Sequence, residues 1–331
     1  MTPTIGISLF PLVSMRKLES LLGYSRIDLW KIANKAGTYY RSFDQRPKGS
    51  NKKFRHIDNP TGDVRELQKR IQKNILRKFV YPETMLGGVQ KGSILENARR
   101  HADQKQVFAI DLRNCFPSTR HTTVLKTYIE KLGCSGEISG LLTKLTTYQT
   151  RLPQGAPTSS LLANLTLLNV HDDIKTITDE LSLNLTFYVD DIVISGKDIT
   201  GAIEPVIKAV QKNGLSISCK KKKLMNAWEL QKVTGLVVNK EVNIAREYVE
   251  SLRKDIINAA KIGYFTENED RSFQGRINYI SAINERTGQK VERFYEGFAV
   301  EIKGEKKIDR FEYQNCKCAK KHKVKRIKKA P

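Results

Sequence analysis

The chain has 331 residues, 39% of them hydrophobic and 28% charged, so it is too apolar to be disordered throughout and long enough for two or three structural units. Its 58 lysines and arginines against 35 aspartates and glutamates give a net charge of +23, which favours a polyanionic partner such as nucleic acid. A solvated basic face, a ribosomal protein or a membrane-surface protein would carry similar charge. A membrane-spanning protein is excluded, because no apolar run approaches about 20 residues.

The cysteines are odd in number and lack the spacing of a disulfide framework: Cys115, Cys134, Cys219, Cys316 and Cys318. We therefore expect a reducing, cytoplasmic compartment. The apolar stretch at 5–13 contains Pro11 and follows no basic residue, so it is a poor signal peptide.

The N-terminal part of the chain predicts helices and a strand pair. Apolar residues recur at helical intervals over 16–36, with a break at Gly23 and Ser25, which predicts two short helices. The basic stretch at 46–53, followed by FRHI at 54–57, is typical of a strand, a basic turn and a second strand. An amphipathic helix is expected over 63–79.

The middle of the chain combines strands and helices in an α+β pattern. The apolar run at 107–112 predicts a buried strand that ends near Asp111, and 185–195 predicts two strands that meet at an acidic turn. Further elements follow from periodicity: helices over 122–131, 158–173 and 203–213, and a strand pair over 233–238 and 242–245.

The C-terminal part predicts a separate all-helical unit, with helices over 248–262, 272–284 and 291–302. The last stretch, 316–331, carries eight lysines and arginines, and we expect it to be disordered until it meets nucleic acid. Cys316, Cys318 and His322 are three possible zinc ligands. No fourth ligand lies near them in sequence, so we favour a basic tail.

Three carboxylates carry the strongest chemical signal. Asp111 lies at the end of a buried strand, and Asp190 and Asp191 lie at the turn of a hairpin. Buried carboxylates are costly unless they are compensated, as they are when they coordinate divalent metal. Two Mg²⁺ ions, or Mn²⁺ as a substitute, would then activate an attacking 3′ hydroxyl and stabilise the leaving pyrophosphate. Alone, the Asp-Asp pair could equally be an ordinary hairpin turn.

The setting of these carboxylates resembles the reverse transcriptases. YVDD at 188–191 resembles their Tyr-x-Asp-Asp box, FAIDL at 108–112 their first catalytic strand, and LPQGAPTS at 152–159 the loop that supports the templating base pair. NARRH at 97–101 and VTG at 233–235 resemble two motifs of bacterial retron reverse transcriptases. The resemblance covers about residues 20–300. Ser160 departs from it, since the family often has proline there.

The resemblance implies a right-hand polymerase fold of the α+β class, with fingers, a palm of antiparallel sheet and helices, and a helical thumb. It predicts a division of the chain into N-terminal helices and fingers at 1–105, palm at 106–245 with finger elements inserted at about 125–157, thumb at 246–312, and basic tail at 313–331.

The resemblance also implies roles at the nucleotide. Asp111, Asp190 and Asp191 would be the catalytic metal ligands. Phe116 would press against the sugar C2′ and exclude ribonucleotides, although Phe116-Pro117 could also be core packing before a turn. Gln154 would contact the sugar or base, and Gly155 would let the backbone approach closely.

Two cations are expected at the triphosphate. Arg55 lies where the family has a finger arginine that grips phosphate, although it could also be a solvated strand charge. Lys221 aligns best with the lysine that assists the leaving pyrophosphate. It belongs to a run of lysines at 220–223, which leaves the choice open, and Lys222 replaces an expected threonine.

The two retron motifs imply contacts to RNA by Asn97 and His101 in the first, and by Val233, Thr234 and Gly235 in the second. Alternatively, His101 could be an ordinary helix-end histidine, and Thr234-Gly235 a kink in a strand.

The implied function is RNA-directed DNA synthesis on a structured noncoding RNA that is both template and primer. Synthesis would start at an internal 2′ hydroxyl and give branched multicopy single-stranded DNA, within an antiviral defence system. Deoxynucleotides and an effector protein are the other expected partners, and no membrane is expected. The alternatives are a reverse transcriptase of a group II intron or diversity-generating element, or a scaffold that holds nucleic acid for an effector. The acidic triad argues against a passive scaffold.

Overall fold

The computed structural model describes residues 10–45, 54–261, 264–302 and 305–308. The basic turn at 46–53 and the tail at 316–331, with its cysteines and histidine, lie outside these residues. The chain divides into two compact units, Met1–Thr234 and Gly235–Pro331. Both contain helices and antiparallel strands, which confirms the α+β class.

The described part of the first unit contains both helices and strands. Its helices are α1 (Met15–Leu22), α2 (Arg26–Asn34), α3 (Gly62–Asn74), α4 (Ile94–Arg99), α5 (Cys115–Ser118), α6 (His121–Glu130), α7 (Gly136–Thr146), α8 (Ser159–Thr166), α9 (Leu168–Glu180) and α10 (Thr200–Lys212). Its strands are β1 (Tyr40–Gln45), β2 (Arg55–Pro60), β3 (Gln106–Asp111), β4 (Asn184–Tyr188), β5 (Asp191–Gly196), β6 (Lys223–Asn226) and β7 (Lys232–Val233).

A four-stranded antiparallel sheet lies at the centre of the first unit, in the order β4-β5-β3-β6. The central strands β3 and β5 have mostly buried residues, as their apolar sequences predict. Their register places Gln106 opposite Gly196 and Asp111 opposite Asp191. The acidic residues of both strands therefore lie at the same end of the sheet.

The N-terminal elements confirm the predicted break between two short helices. Gly23 ends α1 with a left-handed φ of 67°, and the Ser25 side chain caps α2 by accepting a hydrogen bond from the Asp28 N–H. One hydrophobic core runs from these helices to β3, β4 and β5. The sheet therefore rests on packed helices.

The prediction of one continuous helix over 158–173 is wrong, because two helices form there. The chain forms α8 and then α9, and the Leu167 N–H donates to the carbonyls of Ala163 and Asn164 between them. No glycine or proline marks this bend, so the apolar pattern runs across it. The Asn164 side chain leaves α8 to donate to the Gly87 carbonyl at 2.7 Å.

The described part of the second unit contains β8 (Leu236–Val237), β9 (Asn243–Ile244), α11 (Arg246–Ala260), β10 (Tyr264–Phe265), α12 (Glu267–Ile283), α13 (Glu285–Glu296), β11 (Ala299–Ile302) and β12 (Glu305–Ile308). Strands β8 and β9 pair with each other, and both are shorter than the strands predicted over 233–238 and 242–245. Thr234 and Gly235, both with positive φ, interrupt the first predicted strand.

The prediction of an all-helical C-terminal unit is wrong. Strands β10, β12 and β11 form an antiparallel sheet, and the predicted helix over 291–302 ends at Glu296. From Ala299 the chain instead forms β11, which pairs with β12, and this pairing overrides the helical pattern there. Phe265, the last residue of β10, packs against Phe273 and Tyr295, with ring centroids 5.5 Å away in both cases.

Across the described ranges, we find no helix with both the length and the apolar composition that a membrane crossing requires.

Candidate active site

The three predicted carboxylates come together at one end of the central sheet. Asp111 is the last residue of β3, Asp191 is the first of β5, and the two are paired in register. The Leu112 N–H donates to the Asp190 carbonyl at 2.8 Å, which fixes the turn between β4 and β5 against the end of β3. Strand pairing alone thus assembles the cluster.

The turn that carries Asp190 has an unusual backbone. Val189 has a φ of 60°, in the left-handed region that β-branched residues rarely adopt. Such a conformation costs on the order of 1–3 kcal/mol and persists only where neighbouring structure enforces it. The surrounding structure, including the contact from Leu112, therefore holds the turn that carries Asp190 in this strained conformation.

The carboxylates repel one another in a partly buried setting. Burial is the main cause that raises the pKa of Asp190, and the charge of Asp111 adds to it. The pKa of Asp191 rises to about 6, again mainly through burial, with the charges of Asp190 and Asp111 next. A cation at this position would relieve both effects.

Two predicted cationic residues lie beside the cluster. The Lys221 ammonium forms an ion pair with the Asp111 carboxylate. Arg55, on β2, is close enough that its charge acts to lower the pKa of Asp190 against the larger effect of burial. The structure thus brings Asp111, Asp190, Asp191, Lys221 and Arg55 to one place.

The chemistry of this site fits a hard divalent cation, because carboxylate oxygens are the ligands that Mg²⁺ prefers. Within the described ranges, no group of three acidic, histidine or cysteine side chains is already arranged to hold an ion. Lys221 instead neutralises Asp111. A metal bound by all three carboxylates would displace the Lys221 ammonium from Asp111.

The segment after β3 holds Phe116. Asn114 adopts a left-handed φ of 53° and α5 begins at Cys115, whose thiol pKa rises to about 12 through burial, with smaller effects of Asp190 and Asp111. The start of α5 is therefore next to the carboxylates. The Phe116 side chain is half-buried against the core and partly exposed, as a residue at the rim of a site would be.

The predicted Gln154-Gly155 loop is attached to the strand that carries Arg55. The Asp58 N–H donates to the Gln154 carbonyl at 2.8 Å. Gly155 has a φ of 116°, and a Cβ there would lie 2.8 Å from the Ile57 side chain, so only glycine allows this approach. The loop and β2 therefore form one support near the carboxylates.

Comparison with known proteins agrees with this geometry. A family model described as reverse transcriptase (RNA-dependent DNA polymerase) matches residues 46–265, well over half of the chain. The Retron Ec86 reverse transcriptase of Escherichia coli is 31% identical over 266 residues, which cover 76% of this chain and 83% of that protein. The chain belongs to the retron reverse transcriptases.

Two further retron relatives match over shorter parts of their length. The Retron Se72 reverse transcriptase of Salmonella heidelberg (strain 579083-10) is 30% identical over 57% of this chain and 50% of its own length. The Retron Mx65 reverse transcriptase of Myxococcus xanthus is 26% identical over 72% of this chain and 60% of its own length.

The first retron motif lies inside the protein. Asn97 and His101 have no exposed surface, and the His101 ring nitrogens are hydrogen-bonded to Ser195 Oγ and Thr186 Oγ1, each at 2.7 Å. Burial lowers the pKa of His101 to about 3, so the ring is neutral. In this retron reverse transcriptase, His101, two residues after α4, thus connects the end of that helix to β5 and β4, and its side chain is enclosed by protein.

The second retron motif is connected to the first. Asn97 Nδ2 donates to Thr234 Oγ1 at 3.4 Å, and Thr234 Oγ1 donates to the Ile94 carbonyl at 3.3 Å. Val233 is buried like Asn97, whereas Thr234 is half-buried and Gly235 is exposed. Of the five residues predicted to contact RNA, only these last two present surface to solvent.

A contact at the turn that carries Asp190 involves Gly87, a residue outside every predicted motif. The Leu86 N–H donates to the Phe187 carbonyl at 2.8 Å, and the Phe187 N–H to the Thr84 carbonyl at 2.8 Å. A Cβ on Gly87 would lie 2.4 Å from the Val189 nitrogen. The Gly87-Gly88 pair is the sequence signal for such a close backbone approach.

Proposed function

We propose that this retron reverse transcriptase synthesises DNA at the cluster of Asp111, Asp190 and Asp191, with a structured noncoding RNA as template. The observation that carries the proposal is the pairing of Asp111 with Asp191 across two buried strands. Together with the adjacent Asp190, this pairing gathers three carboxylates beside Lys221 and Arg55 at one end of the sheet, which supports the proposal. Deoxynucleotide incorporation on an RNA template, started from an annealed primer in the presence of Mg²⁺, tests the proposal.

The carboxylates would hold two Mg²⁺ ions, which when bound activate the attacking hydroxyl and stabilise the leaving pyrophosphate. Lys221 would leave Asp111 as the site loads and then face the pyrophosphate oxygens. Arg55 would bind the triphosphate, for which a guanidinium offers paired N–H donors. Gln154 and Gly155 would support the nucleotide through their attachment to β2.

The subdivision into fingers, palm and thumb belongs to this proposal. The central sheet, with its flanking helices, would be the palm, and the β1–β2 hairpin would belong to the fingers. Helices α11, α12 and α13 would form the thumb, with the small sheet of β10, β11 and β12 as an addition to it.

We further propose that synthesis starts at an internal 2′ hydroxyl of the RNA and gives branched multicopy single-stranded DNA, with an effector protein and a role in antiviral defence in the cytoplasm. The name that the three relatives share, retron reverse transcriptase, supports this. A product whose 5′ end becomes free only after treatment with a 2′–5′ debranching enzyme is the expected result. A product that carries a free 5′ end from the start would contradict the priming proposal alone.

We expect the Phe116→Ala variant to incorporate ribonucleotides. The ring would close the space beside the sugar C2′, and its removal would leave room for a hydroxyl there. Primer extension with ribonucleotides as the only substrates measures this, with Phe43→Ala as the control, since Phe43 is an exposed ring on β1. If the Phe116→Ala variant rejects ribonucleotides as well as the wild type does, Phe116 does not select the sugar.

We expect the metal-free protein to lose stability as the pH rises through about 6. The pKa of Asp191 is about 6 in the folded chain against 3.8 ordinarily. Its proton therefore favours the folded state below about pH 4, and that contribution is lost above about pH 6. The side chain of the Asp191→Asn variant carries no charge. In EDTA at pH 8 the Tm of this variant should therefore exceed that of the wild type, by about 2–4 °C for each kcal/mol gained in the free energy of unfolding.

In EDTA at pH 5, the difference in Tm between Asp191→Asn and the wild type should be smaller than at pH 8. Mg²⁺ at pH 8 should raise the Tm of the wild type and leave that of Asp191→Asn nearly unchanged, because bound metal stabilises the folded state. A Tm that does not respond to Mg²⁺ in either protein would count against a metal site at these carboxylates.

A further inference from the structure

An exposed tryptophan stands out on the surface of the first unit. Trp228 exposes 83% of its surface, and Leu224 and Leu230, within four residues of it, expose 39% and 47%. Single exposed apolar residues are common, but a nearly fully exposed indole with two apolar neighbours in sequence is a feature of binding surfaces.

The turn that carries Trp228 is held in place by its own hydrogen bonds. The Glu229 N–H donates to the Asn226 carbonyl at 2.9 Å. The Glu229 carboxylate accepts from the Asn226 N–H at 2.9 Å and from the Asn226 side-chain amide at 3.2 Å. The indole is thus presented on a closed turn, so little conformational entropy is lost when a ligand binds to it.

Strand β6 connects this turn to the candidate active site along one edge of the sheet. Lys223 pairs with Ala109 and Asn226 with Gln106 on β3, whose last residue is Asp111. From Asp111 to Gln106 the strand rises about 17 Å, at about 3.4 Å a residue. A strand of nucleic acid that leaves the carboxylates along this edge would reach Trp228 after about five stacked nucleotides.

The charges along this edge suit a polyanion. Lys221 lies at Asp111, and Lys222 and Lys223 are exposed beyond it. Exposed Lys105 lies near the other end of the edge, since the buried Gln231 side chain donates to the Lys105 carbonyl at 3.4 Å. A protein partner is disfavoured, because each partner in a stable protein interface buries roughly 800 Å² and the three apolar side chains of Trp228, Leu224 and Leu230 cover less than that.

We propose that Trp228 is a stacking site for an unpaired base of the RNA that this enzyme copies. An indole stacks on the face of any base, and the neighbouring lysines hold the backbone. The site would hold single-stranded template outside the active site. This inference rests on the proposed function for the identity of the RNA.

Intrinsic fluorescence tests the proposal directly, because the chain has two tryptophans, Trp30 and Trp228. In the Trp30→Phe variant Trp228 is the only tryptophan, so fluorescence excited selectively from tryptophan reports on Trp228 alone. An unstructured RNA of about 12 nucleotides should quench its emission, and a blunt duplex of the same sequence should quench it far less.

Affinity measurements complete the test. Trp228→Ala should bind the single-stranded RNA roughly 5- to 150-fold more weakly, with an unchanged salt dependence, because base stacking is lost and phosphate contacts remain. Trp228→Phe should retain most of the affinity. Leu181→Ala, which alters a side chain that is 47% exposed just after α9, should bind as the wild type does.

Absence of quenching by the single strand, or equal affinities for Trp228→Ala and the wild type, would overturn the stacking site. Primer extension on the same preparations decides the proposed function separately. DNA synthesis without quenching would overturn only the stacking site. Quenching without DNA synthesis would support it and count against the polymerase.

Discussion

Asp190→Asn should reduce DNA synthesis by on the order of 10³-fold or more, while RNA binding changes by less than about twofold. Metal ions supply several kcal/mol of transition-state stabilisation, and each 1.36 kcal/mol is about a factor of ten in rate. The substitution keeps the side chain's shape and removes the charge that would hold the metal. The basic surfaces that bind RNA phosphates remain as they were.

Asp111→Asn should behave in the same way, since Asp111 faces Asp191 from the neighbouring strand. A matched control is Asp179→Asn, which removes an exposed carboxylate paired with Lys175 on α9. Single-turnover primer extension and RNA binding by filter retention are the two measurements. Full polymerase activity in Asp190→Asn or Asp111→Asn would exclude these carboxylates as metal ligands.

Local sequence pattern was enough to predict the elements that build the site. The strand at 107–112 and the hairpin at 185–195 are apolar runs that end on carboxylates, and the structure pairs them as β3, β4 and β5. The register of Asp111 with Asp191 follows from this pairing. The meeting of the three carboxylates could be predicted because it depends on regular strands.

Contacts between distant segments could not be predicted in this way. The His101 side chain is polar, and only the fold shows that Ser195 and Thr186 satisfy both of its nitrogens in the interior. In the β10–β12–β11 sheet, β10 likewise pairs with β12, although α12 and α13 lie between these two strands in the chain. A motif thus identifies a residue as special without showing whether it binds a ligand or supports the fold.

Gly87, near the turn that carries Asp190, is another residue whose contacts only the fold shows. Three atoms of the turn crowd the position that a side chain on Gly87 would occupy: the Val189 nitrogen at 2.4 Å, Val189 Cγ2 at 2.6 Å and the Tyr188 carbonyl carbon at 2.7 Å. Two of these are backbone atoms of the strained segment before Asp190. We infer that Gly87 is a positioning residue, because it allows the Tyr188–Val189 backbone to lie where it does.

Gly87→Ala should therefore lower the rate of DNA synthesis by roughly 10²-fold, because a misplacement of about 1 Å has a cost of that order. The added methyl group cannot fit unless the Tyr188–Val189 backbone moves, and Asp190 moves with it. Gly140→Ala on α7 is the matched control, since a Cβ there meets no atom within 4 Å. That control should keep full activity and be slightly more stable.

A second substitution separates positioning from a general loss of folding. In Gly87→Ala with Val189→Gly, the Cγ2 contact is removed and the φ of 60° is no longer strained, so the turn can adjust. We expect the double variant to recover at least part of the rate lost in Gly87→Ala, although glycine at Val189 by itself adds flexibility to the turn. Rate constants from single-turnover extension, compared with the Tm of each variant, measure this. Full activity in Gly87→Ala, or a rate that falls only in proportion to the unfolded fraction, would show that Gly87 does not position Asp190.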